Sequence, residues 1–313
     1  MKCAEWEKIK MKEKIFQLYA WIIRHLSPEV KLKFRRIRVT DKINTLFRTK
    51  FKPGYIITKK EKHKIFLDSD DSLHLSVHKD WEVFVSKIMY KYVKKGDIVL
   101  DLGANIGYYS LLLAKLVGDN GKVYSFEPDP DNFKLLKKNI KANDYHNIVA
   151  IQKAVSDRTG KIRLFLEKDN STMHKIYRAR GENCTTIEIE SVSLDDFFKD
   201  KNKKINFIKM DIEGAEGGAI KGMQKLLDEN DNIIIFSEFC PRAMRGCGIG
   251  PEEYFKLLSK FGFIFYNVNE EENKIERTTP EEITLIYNSD GYTNILCIKD
   301  KNKDIIENQI TNK

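Results

Sequence analysis

The stretch VLDLGANIGYYS, Val99 to Ser110, decides the fold. An apolar run takes in an acid at Asp101, turns through Gly103 and Gly107, and continues with Ile106, Tyr109, Leu112, Leu113 and Leu116 at helical spacing. A buried strand that runs into a glycine turn and then a helix is a place where a ligand lies against the backbone. The same alternation recurs downstream. KVYSFE precedes PDNFKLLKKNIKAN, with Asp129 placed to cap and Pro130 at the first helical position. NIVAIQKAV reads as a third strand, and INFIKMD precedes a helix through Ala219, Ile220, Met223 and Leu227. NIIIFSEF is a continuous apolar run of the central-strand type, and PEEYFKLLSKFGF and YTNILCIKD supply a further helix and a last strand. This order predicts an α/β fold with a doubly wound, mostly parallel, seven-stranded sheet. Such sheets bind ligands beyond the carboxyl ends of their strands, where Asp101, Glu127, Asp211 and Glu238 fall.

At 313 residues, 42% of them hydrophobic and 32% charged, the composition is that of a globular protein with a dense charged surface. No apolar run approaches the roughly 20 residues of a membrane span; IFQLYAWII, from Ile15 to Ile23, is about half that length. The opening MKCAEWEKIKMKEK does not read as a secretory leader. Five cysteines without CxxC spacing point to a reducing compartment and away from a zinc site, so the expected location is cytoplasmic.

The charge of +9 is uneven: residues 1–66 hold 19 Lys and Arg against 6 Asp and Glu, a net +13, which leaves −4 for the rest. Three regions follow. Residues 1–79 form a basic N-terminal extension of amphipathic helices and a hairpin around PGYIITKKEKHKIFL. Residues 80–299 form the α/β body, and residues 300–313 a polar tail.

The glycine turn narrows the ligand. GxxxxGK[ST] is absent, which disfavours a nucleoside triphosphate. The segment from Gly103 through Ala104, Asn105 and Ile106 to Gly107 lacks the central glycine that admits a dinucleotide pyrophosphate, and an acid before it repels a diphosphate. It suits a cation. S-adenosylmethionine carries a sulfonium and an ammonium and no phosphate, so Asp101 is expected to orient its methionine end. Glu127 and Pro128, in SFEPDP, stand where a carboxylate accepts the ribose hydroxyls, and Ala154 and Val155 where a loop covers adenine.

VLDLGANIGYYSLLLAKLVG, VYSFEPDPDNFKLLKKNI, VSLDDFF and INFIKMDIEGAEGGAIKGM together resemble the FkbM-type methyltransferases, over about residues 80–270. The resemblance implies a class I, Rossmann-like, S-adenosylmethionine-dependent fold and O-methylation of sugars or other secondary alcohols in glycans and natural products. One departure is Gly217 and Gly218, where members carry bulkier residues. Two helical glycines cost about 1 kcal/mol each, so the helix start is loose or makes room for something.

An alcohol has to lose its proton as it attacks a methyl group, which calls for a base or a metal ion. Lys209, Asp211 and Glu213 on the fourth strand and Glu238 on the fifth are the candidates, with Asp211 first as base, and Asp211 with Glu238 as ligands of an ion such as Mg²⁺. Lys209 and Asp211, two apart on a strand, share a face and are placed to pair, a purely structural network being the alternative. Glu216 is expected on a helix surface. His174 reads as a solvated loop residue, and His74 and His78 flank a strand-like Leu75-Ser76-Val77 that argues against a metal pair. Arg242 and Arg245 are available to an anionic acceptor.

Trp6, Phe16, Tyr19 and Trp21 among lysines suit an anionic membrane surface at the inner face, through residues 1–50, or a lipid-borne glycan, and KLKFRRIRVTDK would also serve RNA phosphates. A helical cap with a solvated basic face is the plainer reading. The leading function is thus O-methylation of a sugar, glycan or glycolipid hydroxyl. RNA ribose 2′-O-methylation and a non-catalytic ligand-binding scaffold are the alternatives. The N-P-P-Y-type motif of base N-methyltransferases is absent, its position reading Asp211-Ile212-Glu213.

Overall fold

The computed structural model describes residues 53–69, 71–167, 184–201, 204–288 and 291–299, with Lys14, Ile15 and Leu18. Apart from those three residues, the readings made for residues 1–50, for His174 and for the tail lie outside the described residues.

The described chain opens with a hairpin, β1 (Tyr55–Ile57) and β2 (Lys64–Phe66), then α1 (Leu75–His78) and α2 (Val83–Tyr92). The α/β alternation follows as β3 (Ile98–Leu102), α3 (Tyr108–Val117), β4 (Lys122–Phe126), α4 (Pro130–Ala142) and β5 (Ile148–Ile151). Next come β6 (Ala154–Val155), β7 (Gly160–Glu167), β8 (Cys184–Val192) and α5 (Leu194–Phe198). The second half holds β9 (Phe207–Met210), α6 (Glu216–Lys221), α7 (Gln224–Glu229), β10 (Ile234–Phe239), α8 (Pro241–Gly246) and α9 (Pro251–Ser259). It ends with β11 (Phe263–Asn269), β12 (Lys274–Thr278), α10 (Pro280–Ile286) and β13 (Thr293–Lys299).

The main sheet runs β12-β11-β13-β10-β9-β3-β4-β5. β5, β4, β3, β9 and β10 are mutually parallel, and β13 lies antiparallel between β10 and β11. This is the doubly wound order of a class I methyltransferase. The chain winds one way from β3 to β5 and resumes on the other side at β9, so the switch point lies between β3 and β9. The expected seven strands are present, and an eighth, β12, extends the β11 edge. Its mostly exposed KIERT carries a single apolar residue, Ile275, too weak a pattern to mark a strand.

Alternation along the strands splits the core into two layers. Leu100, Leu102, Ile208 and Met210 face α6 and α9, whereas Val99, Val123, Phe207 and Phe236 face α2 and α3. The hairpin is built into this packing. Ile56, Ile65, Leu67 and Leu75 share a cluster with Ile106 and Leu111. The side chains of Asn139 in α4 and of Asn143, which follows it, exchange hydrogen bonds with the Phe66 and Lys64 backbone at 2.7–3.2 Å.

Two local expectations fail. NIVAIQKAV is not one strand: β5 stops at Ile151, and β6 leaves the main sheet to pair with β8 in a separate three-stranded sheet, order β6-β8-β7. Leu75-Ser76-Val77 is not a strand but the body of the short helix α1. All three residues are buried, and Asp71 caps the helix by accepting the backbone N–H and hydroxyl of Ser76.

Candidate active site

Glycine is required where β3 ends. Gly103 has φ +81°, and a Cβ there would stand 1.8 Å from the carbonyl oxygen of Asp211. The Asp211 N–H donates to Leu102 O at 3.0 Å, so the ends of β3 and β9 are joined at the switch point. Asn105 follows, also left-handed at φ 49°. Its backbone N–H donates to Glu127 Oε2 at 2.8 Å, and Asp129 N–H donates to Glu127 Oε1 at 2.9 Å. Glu127 thereby ties the glycine turn to the start of α4, where Asp129 accepts from the Asp131 and Asn132 amides and Pro130 stands at the first position, as its sequence predicts. Burial pushes the Glu127 carboxyl up to about 7, against the pull of those two amides.

These elements floor a cavity of about 380 Å³. At one end Gly103, Ala104, Asn105, Glu127, Pro128, Ala154 and Val155 line it, with Phe126, Lys153 and Leu164. At the other stand Lys209, Asp211, Glu213 and Glu238, with Trp81, Glu82, Tyr109 and Tyr292. Nearly all the expected residues therefore meet in one cleft.

Two do not line it. Asp101 is fully buried behind the wall. Its Oδ2 accepts from the Ser110 hydroxyl at 2.6 Å and its Oδ1 faces Lys209 Nζ at 3.8 Å. The cause is register: Asp101 and Lys209 are direct partners on neighbouring parallel strands and point to the same face, toward α3. Asp101 thus faces Lys209 and does not itself line the cavity. Gly107 opens α3 at φ +95°, and a Cβ there would strike Leu136 at 2.7 Å, so it serves helix packing.

Lys209, 4% exposed, also reaches Asp211 Oδ2 at 3.2 Å and Gly103 O at 3.4 Å. The expected Lys209–Asp211 pair is formed. Burial works to discharge the ammonium, but Asp211, Asp101 and Glu82 outweigh it and hold it firmly protonated. The Glu238 carboxyl is pushed well above the usual range by burial, then by the charges of Asp211, Glu213 and Glu216.

Glu216 is not on a helix surface: it is 1% exposed, and its Oε1 accepts from the Ile212 and Gly214 amides at 3.0 and 3.3 Å. It pins the DIEG turn that presents Asp211 and Glu213. Gly217 makes room, since a Cβ there would meet Ile249 at 2.3 Å, while a Cβ at Gly218 would make only an ordinary contact with the Asp157 backbone nitrogen at 3.9 Å. Arg242 and Arg245 do not line the cavity; Arg245 binds Asn288 and Glu252 instead. No group of three or more His, Cys, Asp or Glu side chains that could hold a metal ion occurs among the described residues. Nor, among them, is any helix long and apolar enough to cross a membrane.

Sequence motifs missed Glu82. It lies in DWEVF, ahead of every motif, and reaches the site only through tertiary packing, with Tyr109 donating to its Oε2 at 2.6 Å.

The cavity fits S-adenosylmethionine. Apolar Phe126, Ala154, Val155 and Leu164 suit adenine, Glu127 suits ribose hydroxyls, and the acidic far end suits a sulfonium and an ammonium rather than a diphosphate.

Comparison with known proteins agrees. The family profile described as the methyltransferase FkbM domain matches residues 101–284. A second, for protein-L-isoaspartate (D-aspartate) O-methyltransferase, matches residues 31–159. The hexuronic acid methyltransferase AglP of Haloferax volcanii is 24% identical over 177 residues, 56% of this chain and 67% of that one. The methyltransferase sdnD of Sordaria araneosa is 25% identical over 177 residues, 47% of this chain and 68% of that one. Among solved structures, the methyltransferase FkbM of Methylobacillus flagellatus KT superposes at a TM-score of 0.40 and 15% identity, over 72% of this chain and 52% of that one. The chain belongs to the FkbM methyltransferase family and is an S-adenosylmethionine-dependent methyltransferase.

Proposed function

We propose that the enzyme methylates a hydroxyl of a sugar, or of a similar secondary alcohol, in a glycan or glycolipid. The observation that carries this reading is the carboxyl-rich far end of the cavity, lined by Glu82, Asp211, Glu213 and Glu238. A neutral amine attacks a methyl sulfonium unaided, whereas an alcohol has to give up a proton as it does so. A wall of carboxyls is what an alcohol acceptor needs. Trp81 and Tyr292 line the same end and offer flat faces of the kind that pack against a sugar ring.

Bound S-adenosylmethionine supplies an electrophilic methyl group on a positively charged sulfur. The chain does the rest. Glu127 holds the glycine turn closed and accepts the ribose hydroxyls, and Gly103 lets a ligand approach the β3 backbone. Lys209 pairs with Asp211 beside the acceptor, and Glu216 holds the turn that carries Asp211 and Glu213. AglP is named for a hexuronic acid. Here Arg242 and Arg245 stand away from the cavity, and Lys209 faces several carboxyls, so we propose an acceptor that is uncharged near the reacting hydroxyl.

The test is transfer of tritiated methyl groups from S-adenosylmethionine into cell extract, separated into glycan, lipid, RNA and protein pools. Label in glycan or glycolipid that survives mild alkali, as an ether does and an ester does not, is expected. Label confined to RNA or protein would replace this reading.

A further inference from the structure

We infer that Glu82 is the group that takes the proton from the acceptor hydroxyl. The inference rests on the hydroxyl-methylation reading and names the residue that performs its proton transfer. Glu82 precedes α2 in a left-handed conformation, φ 38°, and its side chain makes no capping bond to the helix. It turns into the cavity instead. Tyr109 fixes Oε2, while Oε1 makes no hydrogen bond among the described residues. Tyr109 is itself held, with Lys209 Nζ 5.1 Å from its ring centre and the Tyr108 ring edge-on at 5.3 Å. One oxygen is anchored and the other is left for a substrate.

The carboxyls at this end are not equivalent. Asp211 Oδ2 is already engaged by the buried Lys209 ammonium at 3.2 Å. Glu238 is pushed well above the usual range, first by burial and then by Asp211, Glu213 and Glu216. Glu82 faces Tyr109 from α3, Asp211 and Lys209 from β9 and its turn, and Glu270 beyond β11; Tyr292 looks onto the same group. Burial raises its carboxyl to about 7, opposed by the Tyr109 hydrogen bond, with Asp211 and Glu270 adding to the rise and Lys209 opposing it. A carboxyl raised toward neutrality is, once ionised, more basic than an ordinary carboxylate, the condition an effective general base meets.

In the transfer the acceptor oxygen forms a bond to the methyl carbon. The electron pair of the breaking carbon–sulfur bond stays on sulfur, which becomes a neutral thioether. The hydroxyl proton passes to Oε1 of Glu82, leaving a neutral carboxylic acid that returns the proton to water.

The experiment compares wild type with Glu82→Gln, which keeps the size of the side chain and an oxygen for Tyr109. The probes are tritiated S-adenosylmethionine and the glycan and glycolipid fraction of cells that make the protein. Turnover by the variant should fall by roughly 10²–10⁴-fold, the typical contribution of a general base. S-adenosylmethionine affinity, measured by calorimetry, should stay within about threefold. The wild-type rate should rise with pH through about 7, as the carboxyl ionises, and the variant should lack that limb. Retained turnover, or a retained limb, overturns the assignment. So does a loss of cofactor affinity that matches the loss of rate, since Glu82 would then grip the cofactor. No label with the wild type overturns the hydroxyl reading and this inference together, whereas wild-type label with an active variant overturns the inference alone.

Discussion

Gly103 and Asp211 meet so closely that a methyl group on the first would stand 1.8 Å from the carbonyl oxygen of the second. This contact joins the two halves of the doubly wound sheet where the cavity opens. Gly103→Ala combines that overlap with a positive φ. The variant should lose at least about 2 kcal/mol of stability, from backbone strain alone. Urea denaturation measures the loss, and a variant as stable as wild type would show that the turn relaxes freely.

The two Glu127 oxygens are proposed to serve the turn and the ribose together. S-adenosylmethionine and S-adenosylhomocysteine should therefore raise the melting temperature, and NADH should not. Glu127→Ala should weaken S-adenosylmethionine binding by about 10- to 100-fold, the worth of hydrogen bonds to a charged group. Calorimetry reads this directly, and equal stabilisation by NADH would contradict the shape of the site.

Asp101 and Lys209 are both buried, register partners on neighbouring strands. Removing one partner of a buried pair costs about 3–5 kcal/mol, because the other charge is left uncompensated. Lys209→Met should be destabilised by that much, and adding Asp101→Asn should recover a large part of it. A double variant no more stable than the single one would mean that Asp101 does not depend on Lys209 for its charge.

Glu216 titrates in the folded state at about 7, raised chiefly by burial, against an ordinary value of 4.5. The folded protein thus holds a proton that the unfolded chain has lost between those values, and stability from this group falls as pH rises through that window. The slope reaches about 1.4 kcal/mol per pH unit. Glu216→Gln should flatten the decline in unfolding free energy between pH 5 and 8, measured in urea. An unchanged slope would assign the proton elsewhere.

The parallel core was legible because its strands are buried on both faces and read as apolar runs, as in IVLDL and IIFSEF. The glycine turn and Glu127 were legible because their spacing is local. What escaped depends on neighbours distant in sequence. Glu82 meets Tyr109 across 27 residues, and its backbone conformation carries no compositional signature. The pairing of Asp101 with Lys209 escaped because a strand-end acid has no visible partner until the register with β9 is known. Glu216 looked like a surface acid because a first-turn glutamate usually is one; here the chain folds back so that the carboxylate caps its own approach loop. The β7–β8 hairpin does alternate, at Ile162, Leu164 and Leu166 against Ile187 and Ile189, but it stands outside the β–α rhythm.

The most direct test of the central claim is the atom that receives the methyl group. The glycan and glycolipid fraction is incubated with S-adenosylmethionine carrying a deuterated methyl group, hydrolysed, and its sugars are identified by mass spectrometry. A single deuterated methyl ether on a sugar carbon is the predicted result. A deuterated methyl on nitrogen, on a carboxylate ester or on a nucleoside, with none on a sugar hydroxyl, would contradict it.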